Sequence, residues 1–465
     1  MIRESDESST KSLDRRSRAR AATAVSARCN LQLLGSLMEL VRSRMRKVAP
    51  APSLKPKKAL RIAPGIAMEG RRKICDKYMF KVTCMLKPVH EAAVSSVCWS
   101  HDNQKAVTTS VDGSMAIWDM RGDNKVLHKQ LKKREPLCHV HKAHEKAVIQ
   151  AVWSPSDRHI ATCGSDTTVR LWEASGRKLC VLTGHLSSVL GVAWSPDGRF
   201  LASGCNEGIV MIWDAEHVLG MAIQQKLFRN CVELIDVAPR TASGHTGAII
   251  RLCFSPAGDE LLTASQDTSL RGWKIAQGKS SRVGGNKPYT MLLHKYIGHT
   301  DAVLGCAYDS KGKRICSSSH DQTVRIWARS SGVCLHVCVG HRAIVYDCAW
   351  FVNDLAEEAI VSCDHSRRLI VWDGDGGRLG KTRTRHRGWT LCVSPCNQLQ
   401  KVTKGNVSTE PLRLLTASGD RTVMYSQPMH FEELFDFDDQ VVVFKEWVRK
   451  KTDPDDGSAG CCVLS

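Results

Sequence analysis

A histidine followed 28 residues later by a tryptophan recurs five times along this 465-residue chain: His90/Trp118, His144/Trp172, His185/Trp213, His245/Trp273 and His299/Trp327. A sixth pair, His341/Trp372, is spaced at 31, and a worn seventh copy opens at His386. The clearest unit runs from Gly184 to Asp214; it opens on Gly-His, closes on Trp-Asp and carries short apolar runs separated by turn residues. A unit this short cannot bury an apolar face alone and must stack on its neighbours. A period of roughly 40 residues with these end signatures is how a four-stranded propeller blade appears in sequence.

The strands can be read within the third copy. Val189–Ser195 is an apolar run, Ser195 to Gly198 (Ser-Pro-Asp-Gly) makes a turn, and Phe200–Cys205 and Ile209–Trp213 follow. An aromatic or equivalent residue stands nine after each His: Trp99, Trp153, Trp194, Phe254, Tyr308 and Trp350. Small and β-branched residues fill the inner strands, as face-to-face packing of blades requires.

Polar residues repeat at fixed offsets too. Ten before the Trp stands a hydroxyl, Thr108, Thr162, Ser203, Thr263, Ser317 or Ser362; six before it stands Asp112, Asp166, Glu207, Asp267 or Asp321. The seventh copy offers Thr416 and Asp420 at the same mutual offset. A buried indole N–H needs an acceptor, and hydroxyl, imidazole and carboxylate pass that demand outward to an acid. His, Ser and Asp also spell a hydrolase, but a catalytic set is made once, whereas this one repeats at constant spacing. The histidines are therefore read as structural. Three departures stand out: Glu207 for Asp, Ser366 where the sixth acid is expected, and Ser426 for the last Trp.

In these residues the chain resembles the WD40 repeat family. The resemblance covers about 350 residues, placed at 76–430, and implies an all-β, seven-bladed propeller with a His–Ser/Thr–Asp–Trp tetrad in each complete blade. It also implies that the strand Tyr78–Leu86, which has no blade of its own, completes the last one and leaves no free edge. Insertions around 354–358 and 398–410 are expected to loosen blades six and seven.

Net charge is +19, unevenly spread: residues 1–75 hold 18 Lys and Arg against 6 Asp and Glu, and residues 430–465 hold 4 against 9. Residues 1–28 show no apolar period and read as disordered. Leu31, Leu34, Met38, Val41, Met45 and Val48 then repeat at helical spacing, predicting an amphipathic helix over about 30–48 with Arg42, Arg44, Arg46 and Lys47 on its basic side. That helix could dock on the propeller, pair with a second helix or lie on an anionic membrane. The tail, 431–465, is acidic and ends Cys461-Cys462-Val463-Leu464-Ser465. Its last four residues fit a prenylation signal, with Cys462 farnesylated and Cys461 open to a second acyl chain. Twenty cysteines in no paired framework, with no signal peptide, suggest a reducing, cytoplasmic setting.

Two other motifs are weighed and set aside. Cys138, His139, His141 and His144 crowd together, but His144 is committed to the repeat and strand alternation sets Cys138 opposite His139 and His141. Gly374–Thr382 imitates a phosphate loop with the wrong spacing and no helix behind it. Beside it Arg367, Arg368, Arg378, Lys381, Arg383, Arg385 and Arg387 form a basic patch. No catalytic residue, metal cluster or cofactor loop remains, so the expected function is a non-enzymatic interaction scaffold, lipid-anchored on the cytoplasmic face of a membrane. Other proteins are its expected partners, not a small-molecule substrate. One alternative is a substrate receptor of a cullin-RING ubiquitin ligase, because Trp118-Asp119-Met120-Arg121 resembles the WD box that engages the ligase adaptor through an Arg such as Arg121. The other alternative is a nucleic-acid-associated propeller using the basic arm.

Overall fold

The computed structural model describes residues 79–121, 132–223, 233–235, 244–277, 288–352, 357–396, 400–403, 406–409 and 412–429. The expected helix near 30–48, the basic extension 1–75 and the acidic tail 431–465 with Cys461 and Cys462 lie outside these residues, as do 353–356 and 397–399 within the two insertions.

Seven antiparallel sheets follow one another in chain order. Blade two shows the plan: Val148–Trp153 innermost, then His159–Gly164, Val169–Glu173 and Lys178–Leu182. The inner strand is covered on both faces by the neighbouring blades, which is why it is apolar but for Gln150. Seven apolar clusters occupy the gaps between successive blades, each drawing residues from both neighbours. Between blades two and three, for example, Leu171 and Ala161 meet Trp194, Leu201 and Trp213. No blade has a core of its own.

The second and third strands of every blade are joined by a turn whose key residue has positive φ: Gly113, Thr167, Gly208, Thr268, Gln322, Arg367 and Arg421, at 67–87°. Only two are glycines. At the others the fixed turn outweighs the usual cost of a left-handed side-chain residue, about 1–3 kcal/mol.

The ring closes as expected. Met79–Leu86 pairs antiparallel with Val423–Met429, so the first strand of the chain becomes the fourth of blade seven, outside Thr390–Pro395 (innermost), Leu414–Ser418 and Val423–Met429. Phe80, Cys84 and Leu86 are buried there, and Leu86 shares a cluster with Trp99 and Trp118 of blade one. Lys132–Arg134 adds a fifth strand in parallel outside Met79–Leu86. The insertion in blade seven forms its own hairpin, Gln400–Thr403 with Asn406–Thr409. Blade three carries the helix Ala215–Ile223 directly after its Trp-Asp, ahead of a three-residue outer strand, Glu233–Ile235. The Asp214 carboxylate caps that helix by accepting from His217 N at 2.9 Å.

Removing residues 1–74 is expected to leave a monomeric, cooperatively folding protein, whereas removing 1–88 opens blade seven and exposes two strand edges. Size-exclusion chromatography of the two proteins checks this; a monodisperse 89–465 protein would show that the closing strand is dispensable.

Candidate interaction surface and the network beneath it

The recurrent polar residues meet in space. In blade two Trp172 Nε1 donates to Thr162 Oγ1 at 2.9 Å, Thr162 lies 2.8 Å from His144 Nε2, and His144 Nδ1 lies 2.9 Å from Asp166. Blade four repeats this with Trp273, Thr263, His245 and Asp267 at 3.0, 2.8 and 2.8 Å, and blade five with Trp327, Ser317, His299 and Asp321 at 2.8, 2.7 and 2.7 Å. One hydroxyl proton serves this line: the hydroxyl accepts from the indole and donates to Nε2, leaving Nδ1–H to donate to the acid. The imidazole is thus neutral. Burial pushes His144, His245 and His299 below the ordinary histidine range, against the pull of their carboxylates. Each carboxylate also accepts from the backbone N–H that follows the His, so the network ties the loop entering a blade to the turn within it.

The other four blades solve the same problem differently. In blade one Trp118, Thr108 and His90 connect at 2.9 and 2.8 Å, but His90 Nδ1 meets Ser114 Oγ at 2.6 Å; Asp112 accepts from the N–H groups of Glu91 and Ala92 instead. Blade seven likewise places Thr422 between His386 and Asp420, with Nδ1–Oγ1 at 2.8 Å and Nδ1–Oδ1 at 3.6 Å. Thr416 still reaches His386, while the buried Ser426 stands at the indole's position.

Glu207 is not the acid of blade three. Trp213, Ser203 and His185 connect at 2.9 and 2.7 Å, but Glu207 is exposed and His185 Nδ1 has no partner among the described residues. The hydroxyl found two residues after the acid in other blades, such as Thr168 or Ser269, is Ile209 here. Neither an acid nor a relay is available to the ring.

The sixth acid is not missing, as Ser366 suggested; it is Asp364, two residues earlier. Asp364 lies 2.8 Å from His341 Nδ1, and Ser362 joins His341 to Trp372 at 2.7 and 2.9 Å. Geometry explains the substitution. The equivalent residue in blade two is Gly164, whose Cβ, if it had one, would lie 2.6 Å from His144 Nδ1. A side chain at this position points at the imidazole, and a carboxylate there can replace the one lost from the turn.

A feature absent from the sequence reading lies on the inner strands. Their third residues are Ser96, Gln150, Gly191, Arg251, Gly305, Asp347 and Cys392. Arg251 of blade four reaches past blade five to Asp347 of blade six, Nη2–Oδ2 3.0 Å, with the side chains only 18% and 9% exposed. Gly305 makes the passage: a Cβ there would lie 2.5 Å from Ser318 Oγ and 3.2 Å from Asp347 Oδ1. Asp347 also accepts from Val393 N of blade seven at 3.2 Å. Burial, the largest influence, would lower the guanidinium's pKa, but Asp347 together with the smaller contributions of Cys392 and Cys306 outweighs it and holds the charge. Cysteines on the inner and second strands behave as small apolar residues, with burial pushing Cys98 up to about 11 and Cys163 up to about 12.

Cys138 and the histidines beside it separate as the alternation implied. His139 stacks toward His141 with centroids 4.1 Å apart, whereas Cys138 packs against the turn at Gly176 of blade two. No group of three or more potential metal ligands assembles among the described residues. Arg121 folds back on the Asp of its own Trp-Asp: Nε and Nη2 reach the Asp119 carboxylate at 3.0 and 2.8 Å, and Asp119 is held at about 2 by that contact.

The surface above this frame differs from blade to blade. The residue after each tetrad His is exposed and reads Glu91, Glu145, Leu186, Thr246, Thr300, Arg342 and Arg387 around the ring. Blades one and two are acidic here and the adjoining blades six and seven basic, since the ring closes between seven and one, and Leu186, the most exposed large apolar residue among the described residues, lies on the other side of the acidic pair.

Seven blades, closed by the first strand and each locked by a hydroxyl-to-imidazole contact, define a repeat propeller. The chain belongs to the WD40 repeat family: the family described as "WD domain, G-beta repeat" matches residues 82–119, 135–173, 176–214, 238–274, 290–328 and 332–373. Among similar proteins, the COMPASS component SWD3 of Saccharomyces cerevisiae is 27% identical over 161 residues, 34% of this chain and 46% of that protein. Mouse striatin-4 is 25% identical over 241 residues, 51% of this chain and 28% of its own length. Protein tipD of Dictyostelium discoideum is 25% identical over 179 residues, 38% and 26% respectively. The chain spans less than half the length of each of these relatives.

Two outcomes follow from the buried groups. His90 and His185 are both lowered to about 4, chiefly by burial. An unfolded chain takes up these protons near pH 6.5 and the folded one only near 4, so stability is complete above 6.5 and declines as pH falls toward 4, by up to ~3 kcal/mol per ring. Urea midpoints measured from pH 7 to 4 check this, and His185→Gln should flatten the decline. On the inner strands, Arg251→Met alone leaves a buried Asp347 and should cost about 3–5 kcal/mol, while Arg251→Met with Asp347→Leu should recover much of that loss. Equal losses in the single and double variants would show the pair to be uncoupled.

Proposed function

We propose that this protein is a non-enzymatic protein-interaction scaffold. The observation that carries this reading is the contrast between a repeated frame and an unrepeated rim. The His, hydroxyl and Trp positions are spent on architecture, and the exposed positions free to vary present acids on blades one and two (Glu91, Glu145), an aliphatic residue on three (Leu186), hydroxyls on four and five (Thr246, Thr300) and arginines on six and seven (Arg342, Arg387). Such a surface can engage several partners at once without moving, since the blades beneath it are fixed by their shared cores. One relative is named as a component of COMPASS, and membership of an assembly fits this chain on the same ground.

The proposal includes a lipid anchor. With a free carboxyl end at Ser465, Cys462-Val463-Leu464-Ser465 is a farnesylation pattern, which would place the propeller at the cytoplasmic face of a membrane. One such chain holds weakly, so Cys461 or the basic stretch at Arg42–Lys47 supplies the second signal.

Affinity purification of the full chain, beside a variant carrying Glu91→Lys and Glu145→Lys, tests the scaffold. Stoichiometric partners that fall away from the variant are expected, and an unchanged set would remove the acidic rim from the reading. Labelling cells with a farnesyl analogue tests the anchor. Label on the wild type and none on Cys462→Ser is expected, with the variant moving to the soluble fraction.

A further inference from the structure

Blade six is irregular where its acid has moved, and the change leaves uncompensated charge. In blades two and four the turn holds an acid, a hydroxyl two residues on and an arginine two further: Asp166, Thr168, Arg170 and Asp267, Ser269, Arg271. Acid and arginine approach to 2.9 and 3.7 Å in these blades. Blade six has Ser366, Arg368 and Ile370 at the same three places. Its acid, Asp364, is turned inward and occupied by His341, Ser366 Oγ and the backbone N of Arg368.

Arg368 Nη1 is consequently buried with no hydrogen-bond partner. Lys381 is the cross-strand neighbour of Ile370 and so shares a sheet face with Arg368. Burial, then Arg368, Arg378 and Arg342, holds the Lys381 ammonium below the ordinary lysine range, with Asp364 the one acid opposing them. Arg342 comes from the link between blades five and six, next to His341, so the four cations gather where that link meets the outer strand of blade six. None of the four forms an ion pair among the described residues. By contrast Arg314 reaches Glu358 at 2.7 Å, Arg329 reaches Asp259 at 2.8 Å and Arg251 reaches Asp347 at 3.0 Å.

Arg368 and Lys381 are half-buried like charges that repel, with the exposed Arg342 and Arg378 adding to the field, and an arriving anion removes the repulsion. Two or more guanidinium groups and an ammonium suit a phosphomonoester, which brings close to two negative charges and three acceptor oxygens. The surroundings favour an extended peptide as its carrier. Cys334–Val339 is the outermost strand of blade five and leads straight into Gly340 and Arg342. One face of this edge exposes Leu335, Val337 and Val339, the last at 75%. A strand can add to such an edge by backbone hydrogen bonds while its side chains lie on the apolar row.

We propose that this cation cluster binds a phosphoserine or phosphothreonine of a partner protein, carried on an extended segment that lies along the edge strand of blade five; the proposal rests on the scaffold reading.

Two measurements on the purified full chain test it. The first is thermal unfolding in inorganic phosphate against chloride at matched ionic strength, for wild type, Lys381→Gln, Arg368→Gln and, as a control, Lys274→Gln on blade four. A higher Tm in phosphate is expected for wild type and control and should be lost in the other two; Lys381→Gln decides the matter if Arg368→Gln folds poorly. The second measures binding of a degenerate phosphoserine-centred peptide library and its unphosphorylated counterpart, beside vesicles containing phosphorylated inositol lipids. A preference of about tenfold for the phosphorylated library, abolished by Lys381→Gln, is the expected result. Equal Tm in both salts would overturn the site. A phosphate effect with no preference between libraries, or retention on vesicles alone, would overturn the phosphoprotein assignment. Neither result bears on the partners captured through Glu91 and Glu145, so the scaffold reading stands or falls separately.

Discussion

In six blades an indole N–H buried between two sheets finds its acceptor within its own blade, and that bond fixes much else; the inner-strand indoles of Trp153, Trp194 and Trp350 find none among the described residues. Trp118, Trp172, Trp213, Trp273, Trp327 and Trp372 are each no more than 6% exposed, and each donates to a hydroxyl on the neighbouring strand of its own blade. The hydroxyl sets the imidazole's tautomer, and the imidazole sets where the entering loop must lie. An unmet buried donor costs about 1–3 kcal/mol, so a register slip in one blade would be charged to the whole network. Apolar packing alone is less selective, because apolar residues stand on both faces of the inner strands. The polar line gives each sheet a single alignment.

The same line tolerates change where a replacement lies within reach. Blades one and seven interpose Ser114 or Thr422, and blade six brings Asp364 from a different backbone position to the same nitrogen. Blade three has lost both acid and relay and leaves a bare ring nitrogen. What persists in all seven is the hydroxyl-to-imidazole contact, at 2.7–2.9 Å. The acid end is the variable end, and where it shifts, charge on the rim shifts with it. In blade six Arg368 has no acid at its turn for that reason.

The fold was legible because its signals are periodic: a residue type recurring at one offset has one structural explanation. Tetrad members that obeyed the offset, such as His299, Ser317, Asp321 and Trp327, could be placed from sequence. Glu207 and Asp364 could not, because spacing says nothing about which way a side chain points. Glu207 holds the right position with one methylene too many and no relay; Asp364 holds the wrong position and the right direction. Arg251 and Asp347 were illegible for a different reason. They are nearly a hundred residues apart on non-adjacent blades, and only the closed ring brings them together. A rule that could have found them is simple: a charged residue at an inner-strand position that otherwise carries Ser, Gln, Gly or Cys needs a partner across the axis. The helix Ala215–Ile223 sits where repeat units vary in length, so periodicity was silent there.

Closure by the first strand also settles where the two ends of the chain depart. Met79 is the register partner of Met429, so the segments before and after the propeller leave from adjacent strands at one spot on the rim. The first is strongly basic and the second acidic. Tethered at nearly a common origin, they share a local concentration in the millimolar range whatever the concentration of the protein itself. A ligand gripping both would behave as bivalent. A surface gripping either would suspend the disc from blade seven like a tag on a single thread, with blades two to five, including Glu145 and Leu186, hanging farthest from it.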